Sequence, residues 1–217
     1  MKDQVIPKAT AKRLPLYYRY LRILNNSGKQ KVSSTELSEA VQVDSAPIRR
    51  DFSYFDEAAP LELSGYGYDV EALMNFFAKT LNDDHMSNVA LVGVGNLGSA
   101  LLKDKFHQSN SIRISAAFDV NEDIVGRIVD GIPVYPLSDM AEQIKLQQID
   151  IAILTVPAES SQPIADDLVK SGIKGILNFT PARLHAPKSV LVQNVDLTNE
   201  LQTLIYFLHA NSQDENK

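Results

Sequence analysis

The stretch Val89-Ala90-Leu91-Val92-Gly93-Val94-Gly95-Asn96-Leu97-Gly98 decides the architecture of this chain. An apolar run of strand length leads straight into a GxGxxG pattern, and from there into Asn96–Phe106, which has helical spacing. In that context each glycine has a task. Gly93 permits the tight turn, Gly95 lets a pyrophosphate approach the backbone, and Gly98 lets helix and strand pack closely. The helix N-terminus offers unpaired N–H groups and its positive dipole end to the phosphates. Val94, Asn96 and Leu97 complete the candidate cradle.

Downstream, the strand Ile112–Phe118 ends on Asp119, 26 positions after Gly93. A carboxylate there accepts hydrogen bonds from both hydroxyls of a ribose and repels a 2′-phosphate, which selects NAD(H) over NADP(H). Val120 flanks it. The alternation continues with helices over Ser138–Gln147 and Glu159–Ser171, and strands over Ile149–Val156, Ile173–Phe179 and Val190–Val195. Continuous apolar strands alternating with helices imply an α/β, Rossmann-type doubly wound parallel sheet. Two further strand ends, Thr155-Val156-Pro157 and Asn178-Phe179-Thr180-Pro181, reach the same edge and are placed to surround the nicotinamide half.

Upstream lies a different pattern. Leu14, Tyr17, Leu21 and Leu24 recur at helical spacing after Pro7, with Asn25–Gly28 as the stop and Pro15 as a candidate kink. Ser33 and Glu36 form a capping box opening Ser34–Val41. After Gln42-Val43, Asp44 or Ser45 caps a third helix through Phe55, with Pro47 in its first turn. Two short helices across a tight turn, the second carrying Ser45, Ala46, Pro47, Ile48, Arg49, Arg50 and Tyr54, describe a helix-turn-helix. Gly65-Tyr66-Gly67-Tyr68 suits a small hairpin wing, and Val70–Leu81 is an amphipathic connecting helix.

The charge follows this division. The 217 residues carry a net charge of −6, yet residues 1–50 hold ten Lys and Arg against four Asp and Glu. Residues 51–85 hold one against eight. A basic head on an acidic body fits a nucleic-acid partner at one end. The absence of cysteine excludes zinc fingers, iron–sulfur clusters and thiol nucleophiles, and predicts a reducing, cytoplasmic compartment. No signal-peptide pattern is seen, and the longest apolar run, Ile151–Pro157, is far short of a membrane span. Neither membrane nor metal is expected as a partner.

Hydride transfer to a carbonyl needs a proton donor beside the substrate. There is no Tyr-x-x-x-Lys pair, and of four scattered histidines only His185 follows a strand-end loop. The nucleotide therefore reads as a signal rather than a reagent, and the protein as a non-enzyme. An NAD-dependent oxidoreductase with an appended helical domain is the alternative. The last helix, Thr198–Ala210, is apolar nearly all round, which calls for burial on more than one side, with Asn211–Lys217 as a frayed tail. The expected domains are residues 1–82, 83–196 and 197–217.

Residues 6–19 (Ile-Pro-Lys-Ala-Thr-Ala-Lys-Arg-Leu-Pro-Leu-Tyr-Tyr-Arg), Ile48–Phe55, Gly93–Gly98, Ala117–Val120, Leu154–Pro157 and Gly172–Phe179 together resemble the Rex family of redox-sensing transcriptional repressors. The resemblance implies a homodimer with a winged-helix head, a Rossmann domain and a C-terminal helix exchanged between subunits. It implies repression from a palindromic operator in double-stranded DNA and release of that DNA when NADH binds, with NADH and NAD+ as the sensed ligands. It further implies DNA contacts from Lys12 and Arg13, and a domain-coupling network that includes Arg13, Arg19 and Asp196. Three positions depart from the family pattern: the long acidic segment Asp56–Ser64 before the wing, Pro47, and Asp104 in place of a tyrosine. The acidic segment is expected to weaken DNA binding by repelling phosphates; a Rex-like protein that has lost DNA binding is the other alternative.

Overall fold

The computed structural model describes residues 6–55, 62–63, 67–81, 85–104 and 111–214. The chain divides into two compact units, Met1–His85 and Met86–Lys217.

In the first unit, α1 (Lys8–Asn26) begins directly after Pro7 and runs unbroken through Pro15. Pro15 and Ala11, whose carbonyl the proline leaves unpaired, are both exposed, so water can satisfy that group. The opposite face buries Leu14, Tyr17, Leu21 and Leu24, which offsets the lost hydrogen bond. After β1 (Lys31–Val32), Ser33 caps α2 (Ser34–Val41) by accepting the Glu36 N–H at 3.0 Å. Gln42 ends α2 with φ of 54°, a left-handed residue that turns the chain into α3 (Ser45–Ser53). That helix stops two residues earlier than its spacing predicts, as Tyr54 and Phe55 bond back only three residues.

Strands β2 (Glu62–Leu63) and β3 (Gly67–Asp69) pair antiparallel, and β1 adds to the other edge of β3. Gly67 lies so close to β1 that a Cβ would stand 2.4 Å from the Val32 carbonyl oxygen. The tip of the expected wing and most of the acidic segment lie outside the described residues. α4 (Val70–Thr80), capped by Asp69, closes the unit over an aromatic core. Phe52 sits at its centre, 5.0 Å from Tyr68 and 5.6 Å from Tyr17, both edge to face.

The second unit is a seven-stranded sheet in the order β10-β9-β8-β4-β5-β7-β6. Its elements are β4 (Ser87–Val92), α5 (Asn96–Lys103), β5 (Ile112–Asp119), β6 (Ile128–Val129), β7 (Ile132–Pro136), α6 (Met140–Leu146), β8 (Ile151–Leu154), α7 (Ala158–Lys170), β9 (Gly175–Asn178) and β10 (Leu191–Asn194). All neighbours run parallel except β6 and β7. That hairpin, which the apolar periodicity did not reveal, turns at Asp130-Gly131, both with positive φ. Ala90, Val92, Ala116 and Phe118 pack with α6 and α7 on one face, while Val89, Leu91, Ile114 and Ala117 pack with Leu102 of α5 on the other. The β4–β5 register jumps once: Ile114 lies opposite Val89 and Ala116 opposite Ala90, which leaves Ser115 as a bulge. The Ser115 hydroxyl is buried without a hydrogen-bond partner.

α8 (Leu197–Asp214) extends four residues past the expected end, so the predicted tail is helical as far as Asp214. Asp196 starts it by accepting the Asn199 N–H at 3.0 Å. Its large apolar side chains stand out into solvent, with Leu197 at 67% and Leu208 at 60% exposure.

Candidate nucleotide cleft and DNA-reading helix

The strand order reverses direction at β4, with β5 on one side and β8 on the other, and such a crevice is where α/β sheets bind ligands. A cleft of about 290 Å³ opens there. Of the residues singled out in the sequence, Gly93, Gly95, Asp119, Val120, Thr155, Val156 and Pro157 line it. Val92, Phe118, Leu137, Ser160 and Ile164 line it too, and the motif reading missed them. Ser160 and Ile164 could have been found from their place in the first two turns of α7, directly after Pro157.

The glycine turn has the geometry its spacing predicts. Gly93 has φ of 96°, and a Cβ on it would lie 2.8 Å from the Thr155 carbonyl oxygen. A Cβ on Gly98 would meet the Gly93 carbonyl oxygen at 1.9 Å, so any larger residue forces helix and strand apart. Around Gly95 the space is open, with nothing within 4 Å of a Cβ. Gly95 is the N-cap of α5 and provides no side-chain cap, which leaves first-turn N–H groups for an incoming anion. Asp119 is held against this turn. Its carboxylate accepts the N–H of Val94 at 2.5 Å, of Val120 at 2.7 Å and of Asn121 at 2.8 Å. A carboxylate has about four acceptor sites, so capacity remains for a ribose hydroxyl.

The loop after β9 is held by its own side chains. Asn178 is fully buried and its side chain is consumed within the loop. It donates to Ala182 O at 2.9 Å and to Asn194 Oδ1 at 3.0 Å, and it accepts both the N–H and the hydroxyl of Thr180. Asn178 and Thr180 therefore shape this segment rather than present free polar groups to a ligand. Phe179 packs against the core on the α5 face. Pro181 is exposed, as are Asn96 and Leu97, and none of the three lines the cleft.

In the first unit α3 shows one buried and one open face. Ala46, Arg49, Arg50 and Ser53 are exposed, and Ser45, Pro47 and Tyr54 are half-buried. Ile48, expected among the DNA-contacting residues, is instead completely buried and anchors the helix in the core. Lys12 and Arg19 are exposed on α1. Arg13, with its side chain 25% exposed, turns Nε and Nη2 to the carboxylate of Asp51, each donating at 2.6 Å. Thr10 at 2.8 Å and Tyr17 at 2.6 Å donate to the same fully buried carboxylate. Burial opposes the charge on Asp51, but the bonds from Arg13, Tyr17 and Thr10 outweigh it and hold the carboxyl below its usual range. Burial, then the bond to Asp51, raises the Tyr17 phenol.

Two sequence families match in tandem: "Putative DNA-binding protein N-terminus" over residues 5–53 and "CoA binding domain" over residues 84–182. The redox-sensing transcriptional repressor Rex 1 of Enterococcus faecalis is 76% identical over 213 residues, covering 98% of this chain and 97% of that protein. The Rex repressor of Ligilactobacillus salivarius is 67% identical, covering 99% and 100%. Among solved structures, RSP, a Rex-family repressor, matches in complex with β-NAD+ and operator DNA at a TM-score of 0.87 and 34% identity, covering 98% of this chain and 96% of that one. It also matches in complex with β-NADH, at a TM-score of 0.86 and 32% identity, covering 98% of each chain. With a helix-turn-helix in one unit, a dinucleotide-type cleft in the other and full-length relatives at this identity, the chain belongs to the Rex family of redox-sensing transcriptional repressors.

Proposed function

We propose that this protein is a cytoplasmic, homodimeric repressor that binds a palindromic operator and releases it when NADH occupies the cleft. The observation that carries this reading is the Asp119 carboxylate held against the Val94 N–H of the glycine turn. That geometry suits an adenosine ribose and its pyrophosphate, in a chain similar over nearly its whole length to a repressor solved with both redox forms of the nucleotide. The ligand is sensed and not turned over. Gly93–Gly98 cradle its phosphates, Val120 and Thr155–Pro157 flank it, and the loop Asn178–Pro181 bounds its nicotinamide end.

DNA is contacted by Arg49 and Arg50, with Ser45, Ala46, Pro47, Tyr54 and Lys12 around them. Arg49 and Arg50 are adjacent on a helix and so about 100° apart around it; one reads a base and the other holds a phosphate. Arg19 and Asp196 belong to the coupling between head and body. The dimer is supported by α8, whose large apolar side chains are exposed along its length, as on an interaction surface. We assign residues 1–82 to DNA binding, 83–196 to nucleotide binding and 197–217 to dimerisation.

The test is a titration of the purified protein on labelled palindromic operator with NADH and separately with NAD+. NADH is expected to release the DNA at concentrations where NAD+ does not. Operator binding indifferent to NADH, or reduction of a carbonyl by bound NADH, would overturn the reading.

A further inference from the structure

Arg13 lies on the basic head and has the charge of a phosphate contact, yet its guanidinium is turned to another task. It grips Asp51 of α3 in a fork of two hydrogen bonds, and Asp51 is completely buried. Thr10 and Tyr17, from the same helix as Arg13, donate to that carboxylate as well. Four donors from α1 thus converge on one side chain of α3. Asp51 directly follows Arg50 and is two residues from Arg49, and α3 has only nine residues. Ile48 and Phe52 hold the same face of α3 by apolar contact, which is non-directional and so comparatively tolerant of rotation and sliding. Directional bonds are not. A bidentate arginine–carboxylate pair adds geometric specificity to its energy, and breaking it from one side leaves a buried charge uncompensated.

We propose that Arg13 is a positioning residue that acts through Asp51: with Thr10 and Tyr17 it sets the rotation of α3, and so aims Arg49 and Arg50, without itself neutralising a DNA phosphate. This rests on the operator-binding reading above. It separates two roles that a lone cation on a DNA-binding head combines. A phosphate contact adds to affinity for every sequence and steepens the salt dependence by about 0.9 per contact. A positioning residue changes discrimination between operator and unrelated DNA, and leaves the slope alone.

The experiment measures operator and random-sequence affinity across a salt series for the full-length wild type, Arg13→Gln, Arg13→Lys and the double variant Arg13→Gln with Asp51→Asn. NADH affinity is measured in parallel as a control on the second unit. Both arginine variants are expected to lose operator affinity about tenfold, the scale of coupling between contacting residues, with unchanged salt slope, a reduced operator-to-random ratio and unchanged NADH binding. The double variant, neutral on both sides, is expected to bind operator no more weakly than Arg13→Gln. Near-wild-type affinity in Arg13→Lys, or a slope lowered by about one in Arg13→Gln, would overturn the proposal. Should the arginine variants not fold, Thr10→Val and Tyr17→Phe each trim one bond to Asp51 and remove no cation. They are expected to lower the operator-to-random ratio, and wild-type ratios in both would equally overturn it. A wild type that ignores operator defeats the underlying reading instead.

Discussion

The hydroxyl of Thr155 lies 2.7 Å from the carbonyl oxygen of Gly93 and donates to it, which ties the loop after β8 to the turn after β4. The Thr155 N–H reinforces the link by donating to Val92 O at 2.9 Å. The two sides of the crevice are thereby one unit before any ligand arrives. Thr155→Val keeps the shape and loses the bond. It is expected to weaken NADH binding by about 1 kcal/mol, roughly fivefold, while Thr155→Ser retains wild-type affinity. Isothermal titration of the three proteins checks this; equal affinities would show the brace to be idle.

Two glycines of the turn separate fold from ligand. Gly98→Ala drives a Cβ into the Gly93 carbonyl oxygen, 1.9 Å away, and is expected to destabilise the second unit by about 3 kcal/mol, the upper end for overpacking. Gly95→Ala meets no atom within 4 Å, so its melting temperature stays near wild type, whereas NADH binding falls because the methyl fills the path of the phosphates. Thermal melts with and without NADH distinguish the two.

Asp119 accepts three backbone N–H groups and has room for a ribose hydroxyl. NADH is expected to bind far more tightly than NADPH, whose 2′-phosphate meets the same carboxylate. Asp119→Ala should weaken NADH and narrow the preference. Equal affinity of the unmodified protein for both nucleotides would remove Asp119 from this role.

The Asp51 cluster makes the head acid-sensitive. Asp51 is held below its ordinary value of 3.8, so the stability it contributes is complete above that pH and is lost as pH falls through the lower folded value. Chemical denaturation of the wild type below pH 4 is expected to show a loss that Asp51→Asn lacks. Parallel pH profiles for the two proteins would mean the carboxylate is no better held in the folded head than in the unfolded chain.

Removing residues 197–217 is expected to convert the dimer to monomer, because α8 displays Leu201, Leu204, Ile205, Tyr206 and Phe207 at 45–68% exposure. Sedimentation velocity of the truncated and intact proteins decides it. A truncated protein that remains a stable dimer would assign the interface elsewhere.

Much of this was legible in the sequence where the signal is local. Ser33 and Glu36 form their capping bond as spaced, and the three glycines behave as their pattern requires. What escaped was either short or distant. β6 has two residues, too few for periodicity, and only the Asp130-Gly131 pair marked its turn. The pairing of Arg13 with Asp51 is not legible because the two lie 38 positions apart, and a helical spacing cannot show which acidic residue a cation will face. The bonding of Asn178 is hidden for a related reason: a polar residue at a strand end looks the same whether it meets ligand or its own loop.

The bulge at Ser115 has a bearing on ligand choice. Were Ser115 paired as an ordinary strand residue instead of bulged, strict alternation from Ile114 would put Ala116 and Phe118 on the α5 face and swing Asp119 to the opposite one. The extra residue resets the parity of the strand, so that Phe118 falls opposite Val92 and the carboxylate next in line comes to rest against Val94. The chemistry that distinguishes one nucleotide from another is therefore framed four residues upstream, by an irregularity that does not line the cleft. A strand that absorbed Ser115 into regular pairing would act on the cleft as a frameshift acts on a codon, every side chain intact and each facing the wrong way, whereas deleting Ser115 would leave the later residues facing as they do now.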